Sequence, residues 1–130
     1  MLEKIHKKIK PELIEKYNQE LIVMKPQEML TWGFEKFDNQ FAITTSFGIQ
    51  SAVLLNMVSK LRLQGKIKIF WIDTGYLPPE TYQYAEKLIE DLSLEVEVLQ
   101  SELSPARMEA IYGKLWETNK VSDLDKYHEL

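Results

Sequence analysis

The 130-residue chain contains no cysteine. It can form no disulfide, ligate no Fe–S cluster, build no cysteine-based zinc site and offer no thiolate nucleophile of its own. Histidine is nearly as scarce. His6 and His128 stand far apart and show no ligand-pair spacing, so no metal site is expected. No apolar run approaches the ~20 residues that span a bilayer. The start, Met1 to Lys8, lacks the continuous apolar stretch of a secretory signal, so a cytoplasmic location with no membrane partner is expected. Positive charge is not in excess. A net charge of -4 gives no bulk attraction to nucleic acid or to an anionic membrane. A small anionic ligand held by local groups stays open. Lys7, Lys8 and Lys10 form either a solvated helix end or a phosphate contact.

The remaining composition is that of a globular chain, 45% apolar and 28% charged. Its length allows one domain with a single core and little to spare. Residues 11–24 carry apolar side chains near helical spacing after Pro11, and residues 26–37 repeat the pattern after Pro26. These two helices form an N-terminal segment, residues 1–40. From residue 41 the pattern changes. Residues 41–45 read as a buried strand, and 49–63 as a helix with Ile49, Ala52, Val53, Leu55, Met57, Val58 and Leu61 turned inward and Gly65 at its end. Residues 67–72 read as a second strand, 79–92 as a helix, 95–99 as a third strand, and Ser104-Pro105 as the start of a short helix reaching about Ile111. The tail from Thr118 is polar and ends without a helix stop or a further strand. Strands joined by helical crossovers imply an α/β fold, a Rossmann-like parallel sheet with flanking helices over residues 41–130. Three strands make a small sheet with an apolar edge, which suggests the front portion of a longer domain.

Open α/β sheets bind ligands outside the carboxyl ends of their strands. Two loops there carry the informative residues. Thr44-Thr45-Ser46-Phe47-Gly48-Ile49-Gln50-Ser51 leads into a helix whose free N–H groups can surround an anion, with Ser46 and Ser51 as hydroxyl donors. Equally, Ser46 could merely cap the helix and Gly48 ease the turn. The loop is neither a G-x-G-x-x-G fingerprint nor a Walker A loop. The second loop, Asp73-Thr74-Gly75-Tyr76-Leu77-Pro78-Pro79-Glu80-Thr81, offers a carboxylate and a hydroxyl suited to a ribose or adenine, and a glycine that permits close backbone approach. A capping-and-turn role without a ligand is the other reading. Lys114 could reach an anionic ligand or stay solvated. Trp32, Trp71 and Trp116 read as packing residues.

The first loop resembles the PP-loop, S-G-G-x-D-S, with Phe47 and Gln50 in place of a glycine and the aspartate. T-S-F-G-I-Q-S, then D-T-G-Y-x-x-P-E-T, then Tyr112-Gly113-Lys114-Leu115-Trp116-Glu117 together resemble the phosphoadenosine phosphosulfate (PAPS) reductase family, from about Phe41 to Leu130. The resemblance implies an adenine nucleotide alpha-hydrolase-like fold and reduction of PAPS to sulfite and adenosine 3′,5′-bisphosphate by thioredoxin or glutaredoxin. It implies substrate contacts from Ser46, Phe47, Gly48, Gln50, Ser51, Asp73, Thr74 and Gly75, with Lys114 as a further candidate. The family's cysteine nucleophile and Arg-rich loop are expected downstream of residue 130, so no catalytic residue is expected within this chain. Adenosine phosphosulfate (APS) reductases carry a Cys-Cys pair where Tyr127-His128 fall, which points to the PAPS branch with no Fe–S cluster and no bound cofactor. A homodimer is a further expectation. The alternatives are an APS reductase or another PP-loop enzyme such as the sulfate adenylyltransferase small subunit, and a non-catalytic nucleotide-binding or oligomerisation module.

Overall fold

The structure, a computed structural model, describes residues 10–129. Of the N-terminal basic cluster, Lys7 and Lys8 lie outside the described residues, as does His6; Lys10 is exposed. The chain divides into two compact units, Met1–Asp38 and Asn39–Leu130.

In the first unit, α1 (Pro11–Leu21) and α2 (Pro26–Phe37) each begin on the proline that the sequence supplies. Proline suits the first helical position because its missing N–H would have no partner there. Lys25 N donates to the Glu28 carboxylate at 2.7 Å, closing the start of α2. The helices meet through Tyr17, Trp32 and Phe37, whose rings pack edge to face with centroids 5.1 to 6.2 Å apart. Each such pair adds about 0.5–1.5 kcal/mol beyond its buried area. α1 stops at Leu21, short of the expected Met24, and leaves Ile22 and Val23 exposed in the turn.

The second unit is a three-stranded parallel sheet in the order β1-β2-β3: β1 (Ala42–Thr45), β2 (Lys68–Asp73) and β3 (Val96–Gln100). α3 (Ser51–Lys60) crosses from β1 to β2, and α4 (Pro79–Leu92) from β2 to β3. Two right-handed crossovers that step in one direction put both helices on one face. That face holds Ile43, Thr45, Ile69, Trp71 and Asp73, alternating residues that are all buried, under Leu55, Val58 and Ala85 of the helices. The Ser59 hydroxyl ties α3 to α4 by donating to Leu92 O at 3.3 Å. On the opposite face Ile72 and Leu99 pair in register and stay exposed.

Two sequence expectations are corrected by the structure, and one helix is added. α3 starts at Ser51, so Ile49 lies in the preceding turn and is 92% exposed rather than inward; Val53 is exposed too. The helix ends at Lys60, five residues before Gly65. Arg62 takes the left-handed conformation (φ 56), Leu63 N bonds to Val58 O and Arg62 N to Ser59 O. This is a glycine-type helix end built with arginine and secured by the buried Leu63. After α5 (Pro105–Tyr112) and a 3-10 turn at Leu115–Glu117, the tail, for which the sequence named no element, forms α6 (Val121–Glu129).

Candidate functional site

The β1–α3 loop and the β2–α4 loop leave the carboxyl ends of adjacent parallel strands, where Thr45 pairs with Trp71. In the first loop the Thr45 hydroxyl, buried, accepts from Phe47 N at 3.1 Å and folds the chain sharply out of β1. Phe47 sits at φ 53 with its ring buried against Trp71, centroids 4.8 Å apart. The predicted contact from Phe47 therefore has neither a free side chain nor a free N–H; Phe47 anchors the loop from below. Ser46, Gly48 and Gln50 are exposed and Ser51 is half-buried at the first helical position.

Ser46 does not cap α3. The cap position is Gln50, which makes no side-chain cap hydrogen bond. The N–H groups of Gly48, Ile49 and Gln50 make no hydrogen bond among the described residues. The loop thus presents unpaired backbone donors at a helix N-terminus, where the partial positive charge favours an anion. Gly48 is not required by the protein's own packing. A Cβ there would meet only Ser46 Oγ, at 3.7 Å.

The second loop is organised by Asp73, which is 7% exposed. Its Oδ1 accepts from Gly75 N at 2.8 Å and from the Tyr82 hydroxyl at 2.7 Å; its Oδ2 accepts from Gln100 Nε2 at 2.8 Å. Burial pushes the carboxyl upward, but these three donors outweigh it and hold it below its ordinary value. The same hydrogen bond, with burial, raises the Tyr82 phenol. Asp73 therefore shapes the loop and locks β2 to β3. Gly75 (φ 74) makes its close approach to the protein: a Cβ would lie 2.6 Å from Pro105 Cγ. Thr74 is exposed, and its hydroxyl takes a long 3.4 Å hydrogen bond from Tyr76 N.

The third motif braces this loop. Gly113 (φ 74) turns the chain out of α5, Leu115 is buried, and the Trp116 ring packs between Tyr76 and Tyr127, 5.3 Å from each. The Tyr76 hydroxyl donates to Glu109 at 2.8 Å; burial and that carboxylate push its phenol up to about 12. Lys114 is exposed and, among the described residues, pairs with Glu117 at 3.5 Å.

A cavity of about 480 Å³ opens beside the second loop, at the carboxyl ends of β2 and β3. Ile72, Leu99, Leu103 and Met108 make it largely apolar, and Asp73, Thr74 and Gln100 give it a polar edge. Ser46, Gly48 and Ser51 do not line it, so the structure brings only part of the predicted set to one cavity. Another cavity, of about 400 Å³, lies at the opposite, amino end of the strands between Lys66, Lys68, Glu95 and Glu97, away from both loops. Thr45, Trp71, Tyr82 and Gln100 were not foreseen as site residues. Gln100 had a readable signal, its place at the carboxyl end of a strand beside Asp73.

A parallel sheet with two loops and a cavity at the strands' carboxyl ends defines an open α/β domain, the class that takes its ligands at that end. Residues 40–130 match the family described as phosphoadenosine phosphosulfate reductase domain, and the chain belongs to that family. It is 45% identical over 113 residues to a phosphoadenosine 5′-phosphosulfate reductase of a Synechococcus species, covering 87% of this chain and 48% of the relative. It is 48% identical over 104 residues to the Synechocystis protein of the same name, covering 80% and 41%. The chain thus spans less than half the length of these curated relatives. Its fold matches the crystal structure of a PAPS reductase from Candida auris, in complex with phosphate, with a TM-score of 0.73, 26% identity, and coverage of 93% of this chain and 63% of that one. Among the described residues no helix is long and apolar enough to cross a membrane, and no group of three or more His, Asp or Glu side chains could hold a metal ion.

Proposed function

We propose that this chain is the nucleotide-recognising part of a PAPS reductase. The carrying observation is the uncapped start of α3, where three exposed residues carry N–H groups without a partner among the described residues, beside a second loop from the neighbouring strand. The phosphosulfate end of PAPS sits at Ser46, Gly48, Gln50 and Ser51. The nucleoside end sits at Thr74 and Gly75, with the base in the apolar cavity beside Asp73. Gly48 matters here because a backbone without a side chain lets the anion approach the donors.

In the reaction that family membership suggests, a cysteine thiolate attacks the sulfonate sulfur of PAPS. The bond from that sulfur to the phosphate oxygen breaks, and adenosine 3′,5′-bisphosphate leaves. A dithiol, thioredoxin or glutaredoxin, then attacks the resulting S-sulfocysteine. Sulfite departs, the enzyme thiol is restored and the donor becomes a disulfide. This chain has no thiol, so its share is binding and orientation. It brings no thiolate to an Fe–S cluster, needs no resident cofactor for that share, and works in the cytoplasm. Purified and mixed with PAPS and reduced thioredoxin, it should release no sulfite above a heat-killed control. Sulfite release would refute the cysteine-based division of labour. Adenosine 3′,5′-bisphosphate should still bind in a calorimetric titration.

A further inference from the structure

We propose that Phe47, Trp71 and Tyr82 form a positioning relay that holds the two ligand loops in fixed relation, with the Phe47 ring as the anchor of the first loop. Phe47 stands where the PP-loop pattern has glycine, and its φ of 53 lies in the region glycine favours. A side chain in that conformation costs about 1–2 kcal/mol, so the surroundings must hold it there. The hold is visible. The ring is 3% exposed and meets the Trp71 ring at 4.8 Å and 72°. Trp71, equally buried, makes no protein hydrogen bond through its indole N–H, so packing alone fixes it. It also meets the Tyr82 ring, at 5.7 Å. The Tyr82 hydroxyl donates to Asp73 Oδ1, which also accepts from Gly75 N. A continuous path therefore runs from the first loop, through one strand residue and one helix residue, to the backbone of the second loop. The ladder between β1 and β2 ends at Thr45 and Trp71, so beyond that pair the relay supplies the connection.

The inference deepens the nucleotide reading, and only its binding arm rests on that reading. The test uses the 130-residue chain with Phe47→Gly, Tyr82→Phe, the double variant and, as control, Gln83→Ala on the exposed side of α4. Glycine suits the backbone at position 47 better than phenylalanine does, so a merely tolerated phenylalanine predicts unchanged or tighter binding. Tyr82→Phe keeps the ring and the fold and removes one hydroxyl. Two readouts are taken: the Gly75 amide resonance, which needs no ligand, and calorimetric binding of adenosine 3′,5′-bisphosphate. The relay predicts that Phe47→Gly moves the Gly75 amide across the loops and weakens binding roughly three- to tenfold, the loss of an aromatic pair. It also predicts that the double variant is non-additive, the two residues being linked through Trp71. A Gly75 amide unmoved by Phe47→Gly overturns the relay. If the unaltered chain binds no nucleotide, the nucleotide reading fails, and the amide arm by itself still decides the relay.

Discussion

Glycine 75 and glycine 48 look alike in sequence and do opposite things. Gly75 combines a positive φ with a backbone pressed on Pro105. Gly75→Ala should therefore destabilise the fold by about 1–3 kcal/mol, read as a lower urea midpoint at unchanged slope. Gly48 has room for a methyl group. Gly48→Ala should melt like the parent chain yet bind adenosine 3′,5′-bisphosphate more weakly, which separates a ligand's demand for glycine from the protein's. Asp73 gives a pH prediction. Its folded value lies below its ordinary one, so its stabilisation is complete above the ordinary carboxylate value and is lost as pH falls through the folded value. Asp73→Asn should flatten that acid-side loss in denaturant melts run across the acid range; an unchanged acid limb would mean that other carboxylates set it. The motif residues were readable because they cluster in two short loops. Their supports were not. Thr45, Trp71, Tyr82 and Gln100 come from three strands and a helix, and only folding brings them to Phe47 and Asp73.

Element positions were legible where local chemistry marks them. Pro11, Pro26, Pro79 and Ser104-Pro105 each open a helix, and every strand falls within a residue of its apolar run. Helix ends were less legible. Arg62 and Ser93 both adopt left-handed backbone in place of glycine, held by Leu63 and Leu94 buried just beyond them. No sequence rule selects those two positions before the core exists to receive the leucines. α6 was missed for a related reason. Val121, Leu124 and Tyr127 make a sparse apolar stripe, and its anchors are tertiary: Tyr127 on Trp116, and Lys126 over the Tyr112 ring at 3.9 Å. Trp116→Ala should strip hydrogen-exchange protection from α6 amides while leaving β2 protected. Equal loss in both would show that the helix and the sheet open as one unit.

For the whole molecule, the sheet fold follows from alternation and crossover length, and family membership agrees with it. The sheet has two open edges, and Ile72, Val98 and Leu99 expose apolar surface near the β3 side. Such an edge pairs readily with another copy. Sedimentation should show concentration-dependent association, and Val98→Lys, a charge on the edge strand, should reduce it. An ideal monomer at every concentration would remove this expectation.

The central claim is that nucleotide is held between the two loops at the carboxyl ends of β1 and β2. It is tested most directly by titrating adenosine 3′,5′-bisphosphate into the ¹⁵N-labelled chain and following every amide. The account predicts saturable shifts concentrated at Gly48, Ile49, Gln50, Thr74 and Gly75 and at Leu99 and Gln100 of the cavity, weakened by about 1–3 kcal/mol in Gly48→Val, the value of a charged hydrogen bond or two. Saturable shifts confined to the opposite end of the sheet, around Lys66 and Glu95, or identical affinity in Gly48→Val, would contradict it.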